Sequence, residues 1–170
     1  MMMLSPTSYT LPGYDQNLNK RGRGKGISTY YKGTDFKFEI DINHDGFSLS
    51  KMSGRDLDII GVYRSQNGSI VNMINEIKKL YNTDKTTVIG GDFNICFIKQ
   101  PKNLVTTSLA DIGFKQIVTE ATHIEGGTID HIYIAQEFCK KIDFELELYP
   151  KYYSDHDGLF LTIWKTSEGQ

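Results

Sequence analysis

Four polar clusters in this chain contain the residue types that transfer protons or bind a hard cation. Each cluster ends, or directly follows, a run of residues that favours a β-strand. The clusters are Tyr63 with Arg64, Asp92 with Asn94, Asp130 with His131, and the run Ser154, Asp155, His156 and Asp157. Catalytic side chains are commonly carried at the rims of rigid sheets, where the scaffold fixes their geometry and water can enter. Any one of these clusters could equally be a solvated turn.

Asp130 lies inside the apolar run "TIDHIYIA", where a buried carboxylate needs a partner that offsets its desolvation. A histidine is the natural partner. If Asp130 orients the imidazole of His156, that ring can act as a general base or as a cation in the transition state. His131 points to the opposite face of the strand, and we expect it to pack or to be solvated.

A basic segment, "KRGRGK", occupies residues 20–25 of a chain whose formal net charge is −2. A polyanion would therefore have to bind to a local patch rather than to a basic field of the whole protein. Two readings stay open at this point. The segment is either a solvated glycine-rich loop or a phosphate-binding loop that uses Arg21, Arg23 and Lys25.

The elements that must position these side chains follow from hydrophobic periodicity. One helix is predicted from an N-cap at Ser69 through apolar residues at helical spacing, and a second, short helix over 105–113 ends at Gly113. Strands are predicted at 26–31, 36–42, 48–52 (a short edge strand), 57–63, 86–90, 128–135, 144–149 and 158–164. Eight strands against two helices predict an α+β fold, a two-layer β-sandwich flanked by helices, as a single domain over residues 1–170.

Composition restricts the class of protein. The chain has 39% hydrophobic and 24% charged residues, near globular averages. Cys96 and Cys139 show neither metal-ligand spacing nor a disulfide-rich pattern, which predicts inert thiols in a reducing compartment. No signal peptide or long apolar run is recognisable in the sequence. We therefore expect an intracellular protein, nuclear or cytoplasmic, that does not bind or span a membrane.

Taken in order, the motifs "GVYRS", "GGDFN", "IDHIY" and "SDHDGL" resemble the signature motifs of the endonuclease/exonuclease/phosphatase family, which contains DNase I. "GRGKGISTYYKG" resembles the strand that precedes them in the family. "TEATHIEGGTIDHIYI" is most similar to versions from mobile elements such as retrotransposons and Helitrons. The resemblance covers nearly the whole chain and implies the DNase I-like four-layer α/β/β/α architecture.

The resemblance also implies roles for individual residues. Asp92 would position or activate water, Asn94 would bond a phosphoryl oxygen, and Tyr63 would contact phosphate. Asp130 would orient His156, which meets the phosphate, while Asp155 would lie on the side of the metal, Mg²⁺ or Mn²⁺. The further substrate contacts implied are Arg64, Asn67, Ser154, Arg21, Arg23 and Lys25. The implied activity is metal-dependent hydrolysis of phosphodiesters, with DNA as the partner.

The chain departs from the family pattern in two places. Family members open with a strand bearing an Asn and a strand bearing a metal-binding Glu, both before the "RGKG" region, and this chain begins after them. We therefore expect an N-terminally truncated domain, impaired as an endonuclease, with one sheet edge uncovered unless a homodimer covers it. The segment "YRSQN" replaces a proline-containing one, which leaves Gln66 or Asn67 to supply a substrate-facing amide. The alternative is a non-catalytic remnant that binds nucleic acid or a protein.

Overall fold

The computed structural model describes residues 11–20, 26–33, 35–139, 142–152 and 154–165. Arg21, Arg23 and Lys25 lie outside these ranges, and so does the whole segment before Leu11. Neither helix in the described ranges is long and apolar enough to cross a membrane. The elements are β1 (Asp15–Lys20), β2 (Gly26–Tyr31), β3 (Lys37–His44), β4 (Phe47–Ser53), β5 (Leu57–Arg64), α1 (Ile70–Leu80), β6 (Thr86–Asp92), α2 (Leu104–Ala110), β7 (Phe114–Gln116), β8 (Asp130–Ala135), β9 (Ile142–Tyr149) and β10 (Gly158–Lys165).

One six-stranded sheet forms the centre of the molecule, with the strand order β3-β4-β5-β6-β8-β7. Its strands are antiparallel except for β5 and β6, which run parallel and are joined through α1. Two antiparallel hairpins, β1–β2 and β9–β10, form separate two-stranded sheets. This sheet-rich arrangement with two helices confirms the predicted α+β class.

The two faces of the central sheet are covered by different layers. On one face Ile60, Ile89 and Tyr133 pack with residues of both helices, such as Met73 and Leu109. The opposite face of β6 and β8 packs against the β9–β10 hairpin, in a second apolar cluster that includes Val88, Ile134, Leu146 and Leu161. The β1–β2 hairpin covers β5, where Ile27 contacts Gly61. Strand alternation therefore decides which residues face the helices and which face the hairpins.

The helix α1 begins and ends as its sequence predicts. Ser69 is the N-cap, and its side chain accepts a hydrogen bond from Asn72 N. Met73, Ile74 and Ile77 fall at helical spacing and are buried against the sheet. The helix connects β5 to β6 and so places Tyr63, near the end of β5, beside Asp92 at the end of β6.

Two predictions about strands were wrong, and two strands were not predicted. Residues 48–52 are not a short edge strand, because they belong to the seven-residue β4, which pairs with β3 on one side and β5 on the other. The sequence reading also missed β1 and β7. β1 (DQNLNK) has a single apolar residue and therefore no hydrophobic alternation, and β7 has only three residues. The strand predicted to stop at Gly90 continues through Asp92.

Candidate active site

Three of the predicted residues form a row across the central sheet. Tyr63 on β5 is the register partner of Asp92 on β6, and Asp92 is the register partner of Asp130 on β8. Residues directly opposite each other in neighbouring strands point to the same face. The row therefore lies on the face that the hairpins cover, at the rim where β5 and β6 end and β8 begins.

His156 reaches this row from the other layer of the sandwich, on the loop that connects β9 to β10. Its Nδ1 lies 2.8 Å from Asp130 Oδ2, and both side chains are about five-sixths buried, at 16% and 14% exposed. The predicted contact between Asp130 and His156 is present. With Nδ1–H donating to the carboxylate, the neutral ring keeps its lone pair on Nε2, which is the arrangement that a general base requires.

Asp92 is held by Asn94. The backbone N of Asn94 donates to Asp92 Oδ1 at 2.9 Å, and Asn94 Nδ2 donates to Asp92 Oδ2 at 2.9 Å and to Arg64 O at 2.7 Å. Asn94 adopts φ 51°, a left-handed conformation that Asn tolerates better than most residues. Both amide hydrogens of Asn94 are therefore engaged, so donating to a phosphoryl oxygen would require it to release one of these partners.

Burial raises the pKa of Asp92 from 3.8 to about 6, and the neighbouring negative charge of Asp130 adds to the effect. The hydrogen bonds from Asn94 and the field of His156 act in the opposite direction but are smaller. A carboxylate with a pKa of about 6 is a stronger base than a solvated aspartate and is still ionised at neutral pH. Asp92 can therefore accept a proton from water, and His156 offers the lone pair on its Nε2 beside it.

Replacing Asp92 with Asn is expected to stabilise the fold by about 1 to 3 kcal/mol at pH 8, because a shift from 3.8 to about 6 disfavours the ionised carboxylate in the folded state. The raised pKa means that the wild type loses this stability as the pH rises from about 4 to about 6. The difference in free energy of unfolding between Asp92→Asn and wild type should therefore be small at pH 4 and constant above pH 7. Urea unfolding of both proteins in EDTA measures it, and a difference that does not change with pH would contradict the shift.

The structure corrects the placement of Arg64. Its neighbour Tyr63 faces the hairpins, so Arg64 faces the helices, where it is only 3% exposed. The guanidinium donates to the carbonyl oxygens of Phe93, Ser65, Gln66, Gly68 and Asn94 at 2.8 to 3.3 Å. It therefore holds the two loops that follow β5 and β6 together and is not exposed to a substrate phosphate.

The remaining predicted residues lie around the rim. Ser154 Oγ accepts a hydrogen bond from His156 N at 3.1 Å and so shapes the loop that carries the histidine. Asp155 has a side chain that is 68% exposed, with Oδ2 3.6 Å from His123 Nε2. Asn67 is exposed. It lines an open groove of about 570 Å³ between the N-terminal ends of α1 and α2, together with Gln66 and Leu104.

The site offers Mg²⁺ oxygen ligands, which are the ligands that this cation prefers. Asp92 and Asp130 already accept hydrogen bonds from Asn94 and His156. Asp155 has the most exposed carboxylate of the three. Burial and the negative charge of Asp130 both raise the pKa of Asp92, and a bound cation would offset this penalty on its ionised form. The described residues thus fit a divalent cation, with Asp155 as its most accessible ligand.

Comparison with known proteins identifies the fold. No protein-family model and no curated protein matches the sequence. The endonuclease domain of TRAS1, a telomere-specific non-LTR retrotransposon, matches the structure with a TM-score of 0.66 and 15% identity over 90% of this chain and 79% of its own. An endonuclease/exonuclease/phosphatase family protein from Bacteroides thetaiotaomicron matches with a TM-score of 0.57 and 14% identity, over 90% of this chain and 73% of its own. The chain has the endonuclease/exonuclease/phosphatase fold. A 3'-5' exonuclease from Neisseria meningitidis shares it, with a TM-score of 0.67 and 14% identity over 88% and 79%.

On this endonuclease/exonuclease/phosphatase fold, two residues at the rim escaped the sequence reading. Thr122 is fully buried, and its Oγ1 accepts hydrogen bonds from the backbone N of Ile129 and of Asp130, which fixes the start of β8. The adjacent His123 forms a β-bridge with His156. Both lie in "TEATHIEGGTIDHIYI", so the segment was identified, but only the long-range bridge shows that these two residues belong to the site.

Proposed function

We propose that this chain is a metal-dependent phosphodiester hydrolase that cleaves DNA, an endonuclease of the mobile-element type. The observation that carries the proposal is the contact of 2.8 Å between Asp130 and His156, with Asp92 beside Asp130 in the same row. The residues come from both layers of the sandwich, and a purely structural role would not require a carboxylate, an imidazole and a second carboxylate to meet at the rim of the sheet. The likeness to the TRAS1 endonuclease domain supports DNA as the substrate.

Hydrolysis of a phosphodiester requires that water loses a proton and that the phosphoryl oxygens gain negative charge. Asp92, with its pKa raised to about 6, orients the attacking water and accepts its proton. His156 faces the phosphate through Nε2. Once His156 has taken a proton from solvent, Asp130 stabilises the imidazolium, which bonds the phosphoryl group as charge develops there. As the P–O bond to the leaving oxygen breaks, the imidazolium donates its proton to that oxygen.

A divalent cation, Mg²⁺ or Mn²⁺, would stabilise the charge that develops on the phosphoryl oxygens. Asp155 would bind it from the His156 side of the rim. Because Asp155 is 68% exposed and does not share a tight cage with Asp92 or Asp130, its affinity for the cation is low. We therefore propose that this chain is a weak nuclease at physiological concentrations of Mg²⁺.

The β1–β2 hairpin lies across the central sheet, and its contacts run from β3 to β5. Asn17 donates to Asp41 on β3, Asn19 donates to Leu49 O on β4, and Ile27 contacts Gly61 on β5. Along the hairpin these contacts move across the sheet toward β5 and the row of Tyr63 and Asp92. The described ends of the two strands, at Asn19 and Ile27, thus lie over β4 and β5, the latter being the strand that carries Tyr63, which supports a role for this hairpin beside the row.

Neutralising the basic segment is expected to flatten the salt dependence of DNA binding. Each phosphate contact that is lost reduces the slope of log K against log salt by about 0.9. The variant replaces Lys20, Arg21, Arg23 and Lys25 with Gln. A matched control with the same change in charge replaces Lys37, Arg55, Lys78 and Lys79, which are exposed and lie at the opposite end of the sheet or on the last turn of α1. Fluorescence anisotropy with a DNA duplex measures the slopes of both variants. Equal slopes would show that the segment is a solvated loop that does not contact phosphate.

The direct test of the proposed function is nicking of supercoiled plasmid by the purified, untagged chain across a titration of Mg²⁺. We expect slow nicking that rises with Mg²⁺ and disappears in EDTA. Nicking that continues in EDTA would show that the reaction does not use a divalent cation. Complete inactivity of the folded chain at every concentration of Mg²⁺ and Mn²⁺ would favour the alternative, a non-catalytic module that binds nucleic acid or a protein.

A further inference from the structure

A second imidazole lies directly against His156 and has no part in the mechanism above. The segment that contains His123 pairs with the loop that contains His156: Ile124 N donates to Asp155 O, and Asp157 N donates to Thr122 O, both at 2.8 Å. The two rings meet edge to face, with their centres 5.1 Å apart. These backbone hydrogen bonds fix the position of one imidazole relative to the other.

Together with Asp155, the two histidines present a set of metal-ligating atoms. His123 Nε2 lies 3.6 Å from Asp155 Oδ2, and one ligand atom from each of His123, Asp155 and His156 lies within 4.8 Å of the others. Since Asp130 takes Nδ1 of His156, its Nε2 remains for this cluster. Two imidazole nitrogens and one carboxylate oxygen are ligands that suit Zn²⁺ and its neighbours in the first transition series, whereas Mg²⁺ prefers oxygen alone.

We propose that His123, Asp155 and His156 form a binding site for Zn²⁺ or a similar transition-metal ion. The contact from Asp130 to His156 Nδ1 is the outer carboxylate that commonly orients a metal-binding imidazole. This site shares Asp155 with the cation site that supports hydrolysis, but it adds two imidazoles, and its metal binds to the nitrogen that the reaction needs.

The geometry requires only small movements. Ligand atoms at about 2.0–2.1 Å from a tetrahedral ion lie roughly 3.4 Å apart. The distance of 3.6 Å between His123 and Asp155 already meets this, and the exposed Asp155 can turn toward His156. Ligation through His123 Nε2 places the ring proton on Nδ1, so the hydrogen bond of 3.2 Å from Glu125 N must be released. Glu125 is exposed, and its N–H can bond to water instead.

One consequence rests on the proposed function. A metal ion on His156 Nε2 removes the lone pair and the donor that face the phosphate, so Zn²⁺ should inhibit nicking even when Mg²⁺ is saturating. Inhibition of this kind would make the nuclease sensitive to free Zn²⁺. Loss of His123 should reduce that sensitivity, because the ion then has only two protein ligands.

Binding is tested without DNA and without Mg²⁺, so that the readout does not depend on activity. The untagged chain is titrated with Co²⁺, whose visible absorption reports tetrahedral coordination, and Zn²⁺ is then added to displace it. We expect one Co²⁺ per chain, displaced by Zn²⁺, and an affinity at least tenfold lower in His123→Ala and in Asp155→Asn. The matched control is His44→Ala, which removes a half-exposed imidazole that lies 3.9 Å from Glu76, and its affinity should equal that of wild type.

Three results would overturn the proposal: no tetrahedral Co²⁺ spectrum in the wild type, an unchanged affinity in folded His123→Ala and Asp155→Asn, or an equal loss in His44→Ala. Urea unfolding shows whether each variant is folded. The nicking assay then separates this proposal from the proposed function. Nicking that resists Zn²⁺ in a protein without Co²⁺ binding refutes only the transition-metal site, whereas Co²⁺ binding in a protein that never nicks DNA refutes only the nuclease.

Discussion

Replacing Gly91 with alanine is expected to destabilise the fold by on the order of 3 kcal/mol or more, whereas the same change at Gly90 should cost less than about 1 kcal/mol. Gly91 has φ 147°, which residues with a side chain rarely adopt. A Cβ at this position would lie 1.9 Å from the carbonyl oxygen of Val62 and 2.8 Å from its carbonyl carbon. Val62 is 1% exposed within the central strand β5, so its backbone cannot move away.

Gly90 is the matched control, because it precedes Gly91 in the same strand. A Cβ there would have its nearest contact at 3.6 Å, with a side-chain carbon of Ile132, which is ordinary van der Waals distance. Urea unfolding of Gly91→Ala, Gly90→Ala and wild type measures the two costs. Equal stabilities of the two variants would show that the approach of β6 to β5 differs from the one described. Since Gly91 immediately precedes Asp92, the close approach also sets the position of the carboxylate.

Replacing His156 with alanine is expected to slow DNA nicking by on the order of 10²–10⁴, the contribution of a positioned proton-transfer group. The variant removes both the Nε2 that faces the phosphate and the partner of Asp130, while the surrounding loop keeps the hydrogen bond from residue 156 N to Ser154. His44→Ala is the control, because His44 is half-exposed beside Glu76 on the helix side of the sheet. Single-turnover rates with enzyme in excess give both values. A loss of less than tenfold in His156→Ala would remove His156 from the chemistry.

Periodicity in the sequence predicted the parts of the fold in which burial alternates regularly. β5 and α1 were found within one residue of their ends, because apolar residues recur at their strand or helix spacing. β1 could not be found in this way. Its polar side chains are stabilised by distant partners, such as Asn17 with Asp41 and Asn19 with Leu49 O, which no local pattern reveals.

The sequence likewise predicted some features of the candidate site and missed others. The motif order predicted that Asp130 and His156, 26 residues apart, are in contact, and the structure confirms the contact. The resemblance implied a substrate contact for Arg64, but Arg64 follows Tyr63 in a strand and so faces the opposite side, where it is buried. His123 was missed because its place beside His156 depends on a backbone bridge between two loops.

The central claim is that Asp130 acts through His156 in hydrolysis, and a double-mutant cycle tests it most directly. Single-turnover nicking rates are measured for wild type, Asp130→Ala, His156→Ala and the double variant under saturating Mg²⁺. If Asp130 works by orienting and stabilising the imidazole 2.8 Å away, the double variant should be no slower than His156→Ala alone. The account would be contradicted if the two losses of rate multiply. The double variant would then be slower than His156→Ala by the same factor by which Asp130→Ala is slower than wild type.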